Sequence, residues 1–251
     1  MLKKYSILTL YLYLIFILNI KIFAKINLLI PLYSCPSDQN GEIWRKVLKI
    51  PKTITTVVIW GIICDNDNYT FAIKKLKKNG ILNIAYISTD SGKKSIKVIK
   101  EKIDFYCKFP IDGYFFDEVS SNINLLSFYK KILNYAKKKG NFQLTVINSP
   151  YANVEFLKKL DPKISIIYEN SFNELKNFNI NKYKSFPSEK IAILLHHTTE
   201  KFLKYSIKFA KKNKIGWIYI TNRDWDKLPT YFNLEVQYIN LYNKLMYGER
   251  K

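Results

Sequence analysis

Short apolar runs alternate with longer amphipathic stretches along most of this chain. The runs are rich in Ile, Leu, Val and Tyr without strict alternation, which is typical of strands covered on both faces. Their starts lie 22 to 31 residues apart, so a helix fits between each strand and the next. The eight predicted strands are Asn27–Tyr33, Thr55–Gly61, Leu82–Thr89, Gly113–Glu118, Phe142–Asn148, Ile164–Asn170, Lys190–His197 and Ile215–Asn222.

The stretches between these runs repeat apolar residues three or four positions apart, with lysines between them. The pattern predicts helices most clearly over Tyr69–Asn79, Ser95–Cys107, Asn124–Lys139 and Lys201–Asn213, and the segment Pro229–Lys251 supplies the last helix. Repeated strand and helix units predict a single-domain α/β protein, a (β/α)8 TIM barrel over residues 25–251. A doubly wound open sheet is the alternative that the same pattern allows.

The N-terminus has the pattern of an export signal. Lys3 and Lys4 precede an apolar run, Tyr5–Ile20, and Ala24 offers a cleavage site. We therefore predict a signal peptide at residues 1–24, with an uncleaved membrane anchor as the alternative. The expected location is secreted, periplasmic or at the cell surface.

Three cysteines, Cys35, Cys64 and Cys107, leave room for one disulfide within the chain. Cys35 and Cys64 each follow one of two neighbouring predicted strands, so they are the expected pair. Their spacing is not typical of metal ligands, and the pair His196 and His197 lacks a third ligand at a recognisable spacing. We predict no metal and no cofactor.

The chain is strongly basic, with a formal net charge of +21. Residues 1–24 contain three lysines and no acidic residue, so the chain from Lys25 onward carries +18. Many lysines fall in runs such as Lys74–Lys78 at the ends of predicted helices, where they complement the helix dipole on a solvated surface. No nucleic-acid-binding motif accompanies the charge. We expect a monomer without a nucleic-acid or specific protein partner.

Acidic and amide side chains collect at the ends of the predicted strands. Strand 4 ends in two adjacent carboxylates, Asp117 and Glu118, and strand 6 has Glu169 near its end. Reactive groups of a (β/α)8 barrel lie at the C-terminal ends of its strands, so these three acids are the candidate catalytic residues. The pair also suits a solvated strand end or a helix N-cap. Candidate substrate-binding residues, each also suited to packing or to closing a loop, are Tyr33, Tyr86, Asn148, His196 and Asn222.

Several of these segments resemble the spherulin 4 family, which is grouped as glycoside hydrolase family 135. The resemblance runs in order over almost all of the chain after residue 24, and it is most specific at Ile111–Glu118. The other matching segments are Ile30–Tyr33, Pro36-Ser37, Ala85–Thr89, Asn148, Tyr168-Glu169 and Tyr219–Asn222.

The resemblance implies a secreted (β/α)8 hydrolase that acts within α-1,4-linked N-acetylgalactosamine polymers, a galactosamine-containing exopolysaccharide. The family's glycine-rich turn after strand 2 is replaced here by Ile62–Asn68, and its Asn-Pro-Gly after strand 5 appears as Asn148–Pro150. These loops border the expected sugar site, which leaves the exact glycan open. A catalytically inactive carbohydrate-binding barrel and a basic cell-surface protein are the alternatives.

Glycoside hydrolysis needs one carboxylic acid to protonate the leaving oxygen and a second group to attack the anomeric carbon or activate water. The first hypothesis makes Glu118 the general acid/base and Glu169 the nucleophile or base. Asp117 then raises the pKa of the acid and positions it. In the second hypothesis the sugar's own 2-acetamido group is the nucleophile, and Asp117 orients it.

Overall fold

The computed structural model describes residues 25–64, 67–140 and 144–247, and eight strands in these residues form one closed parallel barrel. Each strand pairs with the next one in the sequence, and the pairing of Leu28 with Ile218 closes the barrel between the first and last strands. The predicted fold is confirmed, and every observed strand lies within a predicted one. The strands are β1 Asn27–Pro31, β2 Thr56–Trp60, β3 Leu82–Ser88, β4 Gly113–Asp117, β5 Leu144–Asn148, β6 Ile164–Asn170, β7 Ile191–Leu195 and β8 Trp217–Ile220.

Helices surround the barrel after every strand except the sixth. The α-helices in the described residues are α1 Asp38–Leu48, α2 Tyr69–Lys78, α3 Ile96–Tyr106, α4 Leu126–Gly140, α5 Val154–Leu160, α6 Leu203–Lys212 and α7 Phe232–Tyr247. Between β6 and β7 the chain forms 3-10 helices at Phe172–Asn177, Ile180–Tyr183 and Ser188–Lys190. This segment is rich in asparagine and contains Pro187, residues that favour turns over helix interiors. The helix that would follow β6 in an ideal barrel is therefore replaced by tighter turns.

The barrel is packed tightly where β4 begins. Every residue of β1, β2, β7 and β8 is buried, so these strands show no alternation between core and solvent. Gly113 opens β4, and a Cβ atom at this position would lie 1.8 Å from the carbonyl oxygen of Leu144. The glycine therefore allows β4 to approach β5, whose C-terminal ends carry candidate site residues.

A disulfide joins Cys35 to Cys64, the pair predicted from the order of the strands. It links the loop after β1 to the loop after β2. The predicted signal peptide, residues 1–24, lies outside the described residues. Within the part of the chain that the structure describes, no helix has both the length and the apolar composition needed to cross a membrane.

A carboxyl group from α7 lies in the core beside β8. The side chain of Glu235 is fully buried, and its Oε1 accepts a hydrogen bond of 3.0 Å from the backbone N–H of Ile220. Its Oε2 is buried without a hydrogen-bond partner among the described residues. Burial raises the pKa of Glu235 well above its ordinary value, which favours the protonated form of this acid.

We predict that Glu235→Gln makes the protein more stable at neutral and alkaline pH. The folded state holds the Glu235 proton to a higher pH than the unfolded state does. The acid therefore lowers the free energy of unfolding as pH rises above the ordinary glutamate pKa, by up to about 1.4 kcal/mol per pH unit. Urea unfolding at several pH values measures this. Glutamine keeps the acceptor for Ile220 and removes the titration, so the two stability curves should diverge with rising pH. Parallel curves would contradict the buried acid.

We also predict that the Cys35–Cys64 disulfide stabilises the fold. It closes a loop between cysteines 29 residues apart. Loop entropy of that length corresponds to about 3.6 kcal/mol of unfolding free energy. Reduction of the wild-type protein should therefore lower its unfolding free energy by about that amount. The Cys35→Ser/Cys64→Ser double variant should start at the lower value and not respond to the reductant. A reductant effect of equal size in both proteins would refute the prediction.

Candidate active site

Polar side chains from three consecutive strands meet at the C-terminal rim of the barrel. The amide of Asn148, at the end of β5, donates from Nδ2 to Asp117 Oδ1 of β4 at 2.9 Å. The same nitrogen donates to Glu169 Oε2 of β6. Because one amide nitrogen reaches both oxygens, the two oxygens lie within about 6 Å of each other. The structure thus brings together two of the three predicted catalytic acids.

Asp117 is held from three sides by hydrogen-bond donors. Besides the Asn148 amide, the hydroxyl of Tyr86 donates to Asp117 Oδ2 at 2.9 Å. The backbone N–H of Glu118 donates to Asp117 Oδ1 at 2.8 Å. These donors lie on β3, on β5 and just after β4, so the orientation of this carboxylate is set by the barrel itself.

Glu169 is the acid whose surroundings favour the protonated form. Its side chain is largely buried, and burial raises the pKa of the Glu169 carboxyl. The hydrogen bond from Asn148 lowers the pKa, and the nearby negative charge of Asp117 raises it further, with a net upward shift. Glu169 therefore keeps its proton to a higher pH than an ordinary glutamate.

Glu118 has a different side-chain hydrogen-bond partner from Asp117 and Glu169. Its backbone has a left-handed φ of +55°, which is uncommon for a residue other than glycine. Its side chain is exposed at the rim, and its Oε2 accepts a hydrogen bond from Ser88 Oγ at the end of β3. The two acids that are adjacent in the sequence thus have separate surroundings.

Two predicted tyrosines line the same mouth. The rings of Tyr33 and Tyr86 meet edge to face, with centroids 5.4 Å apart. Burial raises the pKa of the Tyr33 hydroxyl, and the nearby acidic groups of Asp117, Tyr86 and Glu169 raise it further. Tyr33 thus packs against the tyrosine that donates a hydrogen bond to Asp117.

His196 lies on the other side of Tyr33. Its ring centroid is 5.9 Å from that of Trp225, whose backbone carbonyl accepts a hydrogen bond of 3.2 Å from the Tyr33 N–H. The Nδ1 atom of His196 is buried without a hydrogen-bond partner in the described part of the chain. Burial, with a smaller effect of His197, lowers the pKa of His196, so this ring is neutral at physiological pH.

Asn222 has a different position. Its Nδ2 donates to the hydroxyl of Thr230 at 3.0 Å, and its Oδ1 accepts from the backbone N–H of Thr230 at 3.1 Å. Both ends of the amide therefore close the loop between β8 and α7. The structure does not bring this side chain into contact with the acids.

Sequence reasoning missed two residues at the rim, Ser88 and Lys94. Lys94 donates from Nζ to Ser88 Oγ at 2.8 Å, next to Glu118. The position of Ser88 at the end of β3 was the available signal. Lys94 follows a turn of irregular conformation, so no repeat of apolar residues predicts where its side chain points.

One group of three metal-ligand side chains occurs in the described residues, in the loops after β1 and β2. It consists of Cys35, Cys64 and Asp67. The two sulfur atoms are joined in the disulfide, so they are not available as thiolate ligands.

Comparison with known proteins gives a family match over most of the chain. The family model Spherulin4, spherulation-specific family 4, matches residues 27–239. Spherulin-4 of Physarum polycephalum is 28% identical over 174 residues, which are 65% of this chain and 50% of that protein. The chain thus spans about half the length of the curated relative it matches.

Solved structures share the barrel. Sph3 of Aspergillus clavatus, crystallised with GalNAc, has a TM-score of 0.75 at 15% identity, covering 86% of this chain and 98% of Sph3. Orotidine 5'-monophosphate decarboxylase of Methanocaldococcus jannaschii has a TM-score of 0.54 at 12% identity, covering 90% of this chain and 100% of that one. At such identities these likenesses establish the fold alone.

We predict that Glu169 titrates above an ordinary glutamate and that its two neighbours shift it in opposite directions. Asp117→Asn removes the negative charge and should lower the pKa of Glu169. Asn148→Ala removes the hydrogen bond to its carboxylate and should raise that pKa. Carboxyl carbon NMR, with the signal assigned from Glu169→Gln, measures all three. Shifts in the same direction, or none, would mean that the pair is not coupled through this geometry.

Proposed function

This chain belongs to the spherulation-specific family 4, and we propose that it is a glycoside hydrolase that cleaves galactosamine- or N-acetylgalactosamine-containing exopolysaccharide. The observation that carries the proposal is the pair Asp117 and Glu169, linked by one amide and differing in environment. Most glycoside hydrolases cleave the glycosidic bond with two nearby carboxyl groups, and different surroundings allow the two groups to take different roles. The binding of GalNAc by the similar barrel Sph3 supports the choice of sugar.

Glu169 is the general acid in this proposal. Because burial raises its pKa, Glu169 keeps the proton that the leaving glycosidic oxygen needs to a higher pH than an ordinary glutamate would. The earlier hypothesis gave this role to Glu118, but Glu118 is exposed and directed toward Ser88. Proton transfer from Glu169 to the glycosidic oxygen accompanies cleavage of the bond between that oxygen and the anomeric carbon.

The group that bonds to the anomeric carbon is either the Asp117 carboxylate or a substrate group that Asp117 orients. A separation of about 6 Å or less is close to that of retaining enzymes and below the distance that leaves room for an inverting water. Either the Asp117 carboxylate bonds to the anomeric carbon, or it orients the sugar's 2-acetamido oxygen to form that bond. In the second step Glu169, now deprotonated, takes a proton from water as the water oxygen attacks the same carbon. The bond from that carbon to the Asp117 carboxylate or to the acetamido oxygen breaks, which frees that group and leaves Glu169 protonated again.

The remaining rim residues bind the sugar in this proposal. Tyr33 and Trp225 offer aromatic surfaces for the sugar ring. Glu118 accepts a hydrogen bond from a sugar hydroxyl or amide beside the bond that is cleaved. All of these groups border one mouth.

We further propose that the protein is exported. The signal pattern of residues 1–24 supports this, and so does the disulfide, because disulfides persist in oxidising compartments.

We predict that the purified full chain releases reducing ends from a partly acetylated α-1,4-galactosaminan. Glu169→Gln should lower kcat at least 100-fold because it removes the proton donor. Asp117→Asn should have a similar effect because it removes the nucleophile or the group that orients it. Glu174→Gln is the matched control, since Glu174 is an exposed acid just beyond β6. It should retain wild-type turnover.

An aryl N-acetylgalactosaminide with an activated leaving group identifies the acid, because its departure needs no proton. Glu169→Gln should keep most of the first-step rate on this substrate, whereas Asp117→Asn should lose it. If Glu118→Gln, and not Glu169→Gln, keeps most of the first-step rate on the aryl substrate, the acid is Glu118. Binding of the polymer without release of any reducing ends would support the inactive carbohydrate-binding barrel and reject the hydrolase.

A further inference from the structure

We propose that Ser88 and Lys94 are positioning residues that fix the carboxylate of Glu118 at the mouth of the barrel. The inference rests on the proposed function, because it concerns the orientation of a group that contacts the substrate there. It assigns to this reaction two residues that do not themselves contact the reacting atoms.

The hydrogen bonds among these three side chains have only one consistent direction. A lysine ammonium can donate but cannot accept, so Lys94 Nζ donates to Ser88 Oγ over 2.8 Å. The serine hydroxyl has one hydrogen, and it then points to Glu118 Oε2. Lys94 therefore sets the direction of the hydroxyl, and the hydroxyl sets the direction of the carboxylate.

The backbone of Glu118 is held as firmly as its side chain. Its carbonyl oxygen accepts hydrogen bonds of 2.9 Å from the Ser91 N–H and from the Thr89 hydroxyl. Its own N–H donates to the Asp117 carboxylate. These contacts hold the left-handed conformation, which is strained for a residue with a side chain.

The turn between Ser88 and Lys94 is built to hold its shape. Asp90, Ser91 and Gly92 all have left-handed φ values, of 47°, 53° and 86°. A Cβ atom on Gly92 would lie 2.9 Å from a methyl group of Leu125, so the turn packs closely against the segment before α4. Such a turn places the lysine that follows it in one position relative to β3.

Lys94 also differs from the lysines on the outer helix faces. It is half-buried at the rim, and no carboxylate forms an ion pair with it among the residues described. Its charge is linked to Glu118 only through the Ser88 hydroxyl. We therefore assign to Lys94 the orientation of the Ser88 hydroxyl toward Glu118.

The experiment measures kcat and KM of the full chain on the galactosaminan. Ser88→Ala and Lys94→Met should each lower kcat about tenfold and change KM less than about threefold. Ser88→Thr and Lys94→Arg keep the donors and should stay within about threefold of wild type. Lys93→Met is the matched control, because Lys93 is an exposed neighbour without an ion pair in the described residues, and it should leave both constants unchanged.

A double-mutant cycle tests whether the lysine acts through the serine and the glutamate. Ser88→Ala/Lys94→Met should be no slower than Ser88→Ala alone, and Lys94→Met should have less than a twofold effect when Glu118 is already Gln. Multiplicative losses, or a rise in KM with unchanged kcat, would show that Lys94 contacts the substrate directly and would overturn the proposal.

A readout without turnover separates this inference from the proposed function. The Glu118 carboxyl carbon signal, assigned by its loss in Glu118→Gln, should shift in Lys94→Met and Ser88→Ala but not in Lys93→Met. If the wild-type protein cleaves no galactosaminan while these shifts occur, the hydrolase proposal fails and the positioning stands. If the signal is the same in all variants, the positioning fails whatever the activity.

Discussion

The arrangement at the barrel mouth depends on one amide group, the side chain of Asn148. Two carboxyl groups at this distance repel each other when both are charged, and the Asn148 amide has two hydrogens, one for each of them. The end of β5 is itself fixed, because the Asn148 carbonyl accepts a hydrogen bond of 2.9 Å from the Val119 N–H after β4. The amide therefore joins three strands, and the distance between Asp117 and Glu169 follows from the register of the barrel.

The second constraint is the change of backbone direction immediately after β4. Asp117 still belongs to the strand, whereas Glu118 adopts a left-handed φ and leaves it. This change in backbone conformation at a single residue places two neighbouring carboxylates in different surroundings. Asp117 meets donors from the barrel, and Glu118 meets Ser88. Separate surroundings allow similar side chains to take different parts in one reaction.

The sequence predicted the barrel because its parallel strands are buried on both faces and form apolar runs at a nearly constant spacing. It also placed Asp117, Asn148 and Glu169 at one rim, since the C-terminal ends of parallel strands meet there. It could not predict which acid has the raised pKa, because the pKa of Glu169 is raised by burial and by a neighbour 52 positions away in the sequence. The link through Lys94 depends on a turn whose φ values no pattern of apolar residues records.

The lysines on the protein surface and the side chains at the barrel mouth act over different distances. At physiological salt the Debye length is about 8 Å, so the lysines on the outer helices contribute little inside the mouth. There the nearest charged groups are the carboxyl groups and Lys94, which approaches them through a hydroxyl. Farther out, the basic surface repels a cationic, deacetylated polymer and attracts an anionic one. In the proposed reaction, the surface charge would set how often a glycan of given charge reaches the barrel, whereas the groups held by Asn148 would act on its glycosidic bond.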